Sequence, residues 1–207
     1  MTRFTLPLFA SLFVILTGCL SGKVDMAFQP NEKITGQFTL TIEQSAYGML
    51  AGLQGEDAQP FCGDMAVTFK KDVVVCSSEI ATTLDEAIDR VKDAKEDDAE
   101  PNANAVSLEK MVIERVDQDK IRISFPLEFK ETASLEEPEG MEGVEDMMVA
   151  SFAGKTIDIH FTGAEVIETN GQVENEGTRA SFYIPMVEVI KPSGSLPEAF
   201  TALIRYK

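Results

Sequence analysis

Apolar residues in this chain fall repeatedly at every second position. Val24, Met26 and Phe28 alternate with other residues, as do Ile34, Phe38, Leu40 and Ile42 with Gly36 among them. The pattern returns at Ile121, Ile123, Phe125, Leu127 and Phe129, and again at Ile157, Ile159 and Phe161. A strand turns successive side chains to opposite faces, so this period predicts strands buried on one side only. Such strands suit an antiparallel sheet with one packed and one solvated face. Turn-forming stretches separate them: "PNEK" at 30–33, Lys70–Asp72, "DQDK" at 117–120 and "TNGQ" at 169–172. The last contains the Asn-Gly dipeptide favoured in two-residue hairpin loops. Gly36 is a candidate bulge, Pro126 favours an edge position or a bulge, and Ala180–Ile190 reads as a further strand.

Helical spacing is rarer. Ile80, Leu84, Ile88 and Val91 recur at three- and four-residue steps, with Thr83 and Glu86 spaced as a capping box and Lys92 and Lys95 near the end. A short helix or turn is expected at 45–55, where Gly48 and Gly52 form a GxxxG pattern that has little force outside a membrane span. Val144, Met147, Met148, Ser151 and Phe152 fit a short amphipathic helix, and Phe200, Leu203 and Ile204 give the tail helical spacing. The expected fold class is therefore α+β: a mainly antiparallel sheet built from hairpins, with two or three helices packed on one face.

The first thirty residues bear on location. Phe4–Leu16 carries no charge and follows Arg3, as in a signal-peptide hydrophobic region. It is too short to span a bilayer, which takes roughly 20 apolar residues. Leu16-Thr17-Gly18-Cys19 follows and resembles the bacterial lipobox. The resemblance implies cleavage after Gly18, a diacylglyceryl group on Cys19 and acylation of the new amino terminus. Two or three chains make a durable anchor where one is marginal. Residues 1–18 are thus expected to be a signal peptide and 19–207 a single extracytoplasmic domain, with 19–22 as a tether reaching only ~14 Å. Neither Leu20 nor Ser21 is Asp, the usual inner-membrane retention signal next to the cysteine. The expected address is the cell envelope, facing the periplasm or exterior, with the outer membrane favoured if the host has one.

Composition narrows the partners. Lys and Arg number 18 against 35 Asp and Glu, a net charge of −17, and cleavage would make it one unit more negative by removing Arg3. Nucleic-acid binding needs a basic footprint, so it is not expected. Outside the cytosol the remaining pair, Cys62 and Cys76, suggests a disulfide; two free buried thiols are the alternative.

Catalysis and cofactors find little support. His160 is the sole histidine, and the alternation of Ile157, Ile159 and Phe161 puts its side chain on the opposite, polar face, with no serine or cysteine motif to serve. Asp98, Glu100, Asn102 and Asn104 place oxygen side chains at every second position, as for calcium, yet the turn glycine is missing and Pro101 interrupts. Met141, Met147 and Met148 read as core filler more than as copper ligands. No metal, no cofactor and no catalytic residue is expected.

Two stretches, "CLSGKVDMAFQPNEKITGQFTLTIEQS" at 19–45 and "IDIHFTGAEVIETNGQVENEGTRASFYIPM" at 157–186, resemble bacterial LppM-type lipoproteins. The resemblance implies an α+β domain at the envelope with a role in lipid or surface interaction, and it brings no catalytic motif. The resulting expectation is a non-catalytic lipoprotein, membrane-bound through its lipid, that binds a lipid or apolar ligand or an envelope protein partner. The alternative is a structural or assembly lipoprotein acting only through protein contacts.

Overall fold

The structure, a computed structural model, describes residues 20–44, 47, 62–63, 65–94, 111–127, 149–150 and 152–207. These residues form two sheets. Strands β1 (Leu20–Phe28), β2 (Lys33–Glu43), β3 (Ala66–Phe69), β4 (Val73–Thr83), β7 (Thr156–Thr162), β9 (Gln172–Glu174) and β10 (Arg179–Pro185) make the first, in the order β3-β4-β2-β1-β7-β10-β9. Strands β5 (Val112–Asp117), β6 (Lys120–Pro126), β8 (Glu165–Thr169) and β11 (Ala199–Arg205) make the second, in the order β5-β6-β11-β8. All neighbours are antiparallel except β1 and β7, which run parallel with Val24 beside Ile159.

The hairpins β1–β2, β3–β4 and β5–β6 lie where the alternation puts them. Gly36 keeps the β2 register unbroken against Met26 and Ile80, so it makes no bulge. Pro126 ends β6, and that strand lies inside its sheet, between β5 and β11.

The α+β expectation is overturned: this is a mostly β molecule in which sheet packs on sheet. The apolar face of the first sheet (Val24, Met26, Phe28, Ile157, Ile159, Phe161) meets Ile121, Ile123, Phe125, Phe200 and Ile204 of the second in one core. Among the described residues two short helices stand beside them, α1 (Leu84–Ala94) and α2 (Met186–Ile190). Three local readings are corrected with it. Ile80 belongs to β4, and α1 begins only at Leu84, where the expected capping box forms: Thr83 N–H donates to the Glu86 carboxylate (3.1 Å), and Glu86 N–H donates to Thr83 Oγ1 (3.3 Å). The tail is β11, because Phe200, Ala202, Ile204 and Tyr206 alternate inward with period 2, a pattern that competes with the helical spacing of Phe200, Leu203 and Ile204. The stretch 180–190 is strand only to Pro185, after which α2 follows.

"TNGQ" also does something other than expected. Its flanking strands, β8 and β9, belong to different sheets, so Asn170-Gly171 is a corner and not a hairpin. The Asn170 side chain binds across it to β11, donating to the Ala199 carbonyl and accepting from Thr201 N–H, each at 2.8 Å. A Cβ on Gly171 would overlap the Ser181 carbonyl oxygen and lie 2.8 Å from the Phe200 ring. Gly163, where β7 leaves the first sheet for β8, is equally crowded: a Cβ there would overlap Ile204 and sit 2.7 Å from the Arg205 carbonyl oxygen.

Candidate functional site

Two places carry the residues singled out in the sequence. The first is the end of the first sheet where β1 starts. Cys19 and residues 1–18 lie outside the described residues, but Leu20 already opens β1, and Leu20, Ser21 and Gly22 pair with Ile42, Thr41 and Leu40. Residues 20–22 of the segment read as a tether are therefore strand. Across this end, Leu20 stands opposite Ile42, Ile42 opposite Val74, and Val74 opposite Phe69, so one row links the start of β1 to the edge strand β3. Cys62 and Cys76 form the expected disulfide, with Cα atoms 5.7 Å apart. Both are buried with Ile42, beside Leu20, Leu40, Tyr47 and Met65, in a small apolar cluster separate from the main core.

The β3–β4 turn completes this end. Lys70 N–H donates to the Val73 carbonyl (2.8 Å), and Gln44 N–H donates to the Asp72 carbonyl (3.1 Å). Glu43, Gln44, Lys71, Asp72 and Val73 surround an open concavity of about 420 Å³. Phe69 projects beside it, 62 % exposed, with its ring edge-on to Tyr47 at 5.8 Å.

The second place is around His160, on the outer face of the first sheet as the alternation requires. It is nonetheless buried, at 5 % exposure. β1 sets Asp25 on one side of it and β10 sets Ser181 on the other. His160 Nδ1 lies 2.8 Å from Ser181 Oγ. Ser181 Oγ donates to Glu174 (2.8 Å), and the Tyr183 hydroxyl donates to the other oxygen of the same carboxylate (2.6 Å). Because the serine proton goes to Glu174, Oγ accepts from His160, which puts the imidazole proton on Nδ1. Burial lowers the His160 pKa, with Asp25 opposing it. The bonds from Tyr183 and Ser181 lower that of Glu174, and Glu174 raises that of Tyr183.

Histidine, serine and a carboxylate thus meet, but in the wrong order for acyl transfer. A hydrolytic triad places histidine between serine and carboxylate and leaves the serine oxygen open to substrate. Here serine is in the middle and fully buried. The arrangement clasps β7, β10 and β9 together. Ser181 and Tyr183 share the outward parity of β10 and could have been read from its alternation, whereas Glu174 reaches them only because the chain turns back at Asn175–Gly177.

Asp98, Glu100, Asn102, Asn104, Met141, Met147, Met148 and the GxxxG stretch lie outside the described residues. Among the described residues no three His, Cys, Asp or Glu side chains are grouped to hold a metal, and no helix is long and apolar enough to cross a membrane.

No family model matches the sequence, and no curated protein matches it. Among solved structures, the chain is similar to the folded domain of LppM from Mycobacterium tuberculosis, determined by NMR. The TM-score is 0.47 and the identity 13%, over 91% of each chain.

Proposed function

We propose that this protein is a lipid-anchored lipoprotein of the bacterial cell envelope, non-catalytic, which binds a lipid, an apolar ligand or a partner at its surface close to the membrane. The observation that carries the reading is the start of β1 at Leu20, directly after the lipobox cysteine. An acyl group on Cys19 would have no slack chain between it and the sheet, so the bilayer and the first sheet's end would be neighbours. The non-catalytic part is supported by how the one histidine is used: its Nδ1 is committed to Ser181, and the serine proton to Glu174. Binding at the surface is supported by the core of the described residues, where large side chains such as Phe125, Phe161, Phe200 and Tyr206 are fully buried.

The test is mass spectrometry of the N-terminal peptide from membrane-bound protein. It should begin at Cys19 and carry the diacylglyceryl group with a further acyl chain. Cys19→Ser should lack that mass and keep residues 1–18 uncleaved. An N-terminal peptide that starts elsewhere, or a bare thiol at position 19, refutes the anchor.

A further inference from the structure

We propose that Phe69, Lys70 and Lys71 form a docking surface for a phospholipid bilayer with anionic headgroups. Phe69 is the most exposed large apolar side chain among the described residues, and Val67, on the same face of β3, is exposed as well. An apolar ring presented on an edge strand can enter the acyl boundary of a bilayer while cationic side chains beside it stay at the headgroups. The two lysines follow it directly, and among the described residues neither enters an ion pair. Arg115, Lys120, Arg205 and Lys207 are each held by carboxylates. Lys33, Arg122, Lys155 and Arg179 likewise stand outside the ion pairs of the described residues, and what sets Lys70 and Lys71 apart is that they adjoin each other and the exposed ring. They complement anionic lipid, which attracts basic residues held close to its surface. Glu43 and Asp72 border the neighbouring hollow and limit the local positive charge, so the lysines act together with the ring and not alone.

Position supplies the remaining argument, and it rests on the lipid anchor proposed above. Leu20, Ile42, Val74 and Phe69 stand in one row across four adjacent strands. At about 4.8 Å between strands, Phe69 lies roughly 14 Å along the sheet end from the residue that follows Cys19. A bilayer entered by acyl chains at one end of that row lies within reach of the ring at the other. The molecule would then rest on lipid through its β1 start and its β3–β4 turn, which fixes its orientation.

The chain has no tryptophan, so Phe69→Trp creates a single reporter. The full acylated protein carrying it is reconstituted into vesicles of phosphatidylcholine, with or without phosphatidylglycerol, whose acyl chains are brominated. Val173→Trp, exposed in β9 at the far edge of the same sheet, is the control. The expected result is a blue-shifted emission and at least severalfold stronger quenching at position 69 than at 173. The quenching should increase with phosphatidylglycerol and fall when Lys70 and Lys71 are both changed to Glu. Quenching at 69 no greater than at 173, in protein that floats with the vesicles, overturns the proposal. Quenching indifferent to phosphatidylglycerol overturns the assignment to an anionic surface. Flotation separates the two ideas: protein that does not float refutes the anchor, and quenching at 69 by vesicles added to it still decides the docking surface.

Discussion

Glu32 shows how much one side chain can join. It sits in the β1–β2 turn with φ of 63°, in the left-handed region that disfavours side chains. Its carboxylate accepts from the Arg115 guanidinium (3.2 and 3.3 Å) and from the Lys207 ammonium (2.7 Å). Arg115 also donates to Asp85 of α1 and to the Tyr206 hydroxyl, each at 2.8 Å. Both sheets, a helix and the tail are thereby tied at one point. The hydrogen bonds from Arg115 and Lys207 hold the Glu32 carboxyl at about 2, below its ordinary 4.5. The unfolded chain takes up a proton near 4.5 and the folded chain only near 2, so the unfolded state binds more protons in between. This contribution is present above that window and is lost as pH falls through it. Glu32→Gln should therefore melt slightly below the parent at neutral pH, and thermal scans at decreasing pH should show the gap closing between about 4.5 and 2. A gap that stays constant over that range would show the carboxylate bonds to be idle.

At the scale of elements, the two glycine corners decide which sheet each strand joins. Alanine at Gly171 would press a methyl group into the Ser181 carbonyl and toward the Phe200 ring. Overpacking of this kind costs about 1–3 kcal/mol. A domain of this size loses roughly 2–4 °C of Tm per kcal/mol. Gly171→Ala and Gly163→Ala should each melt several degrees below the parent in calorimetry. Gly36→Ala, where a Cβ makes only ordinary contacts near 3.5 Å, should stay close to it. Corner variants that melt like the parent would mean these turns are not crowded. Neither corner was legible in the sequence, because Asn-Gly fits a hairpin loop as well as a sheet crossing, and only long-range pairing distinguishes them. What was legible was local: hairpins with short turns, the Thr83–Glu86 cap, the disulfide, and the face on which His160 lies. The face of the His160 side chain was readable from period 2, but its burial was not, nor was the link through Ser181 to Glu174, which depends on the return of β9 against β10. Lys70–Asp72 was read as a turn, and the role proposed for Phe69, Lys70 and Lys71 depends on the row that joins Phe69 to Leu20.

For the molecule as a whole, the missed step was the second sheet. Its strands come from 112–126, 165–169 and 199–205, far apart in the chain, and period 2 alone does not say whether a helix or a sheet will cover an apolar face. Phe200 is where the two layers are joined most directly. Its ring stacks on Phe161 at 5.0 Å and on Phe182 at 5.2 Å, so a strand of the second sheet is seated on two strands of the first. Neither sheet can hide its apolar side without the other, and the two should unfold together. Truncating Phe200 to alanine removes both stacks and leaves a void at the centre, a change that costs about 3–5 kcal/mol. That is a large part of the roughly 5–15 kcal/mol that stabilises a typical domain. The variant should melt well below the parent, yet still in one transition whose calorimetric and van't Hoff enthalpies agree. Two separated transitions would instead mean that each sheet holds its own core, with Phe200 only bridging them.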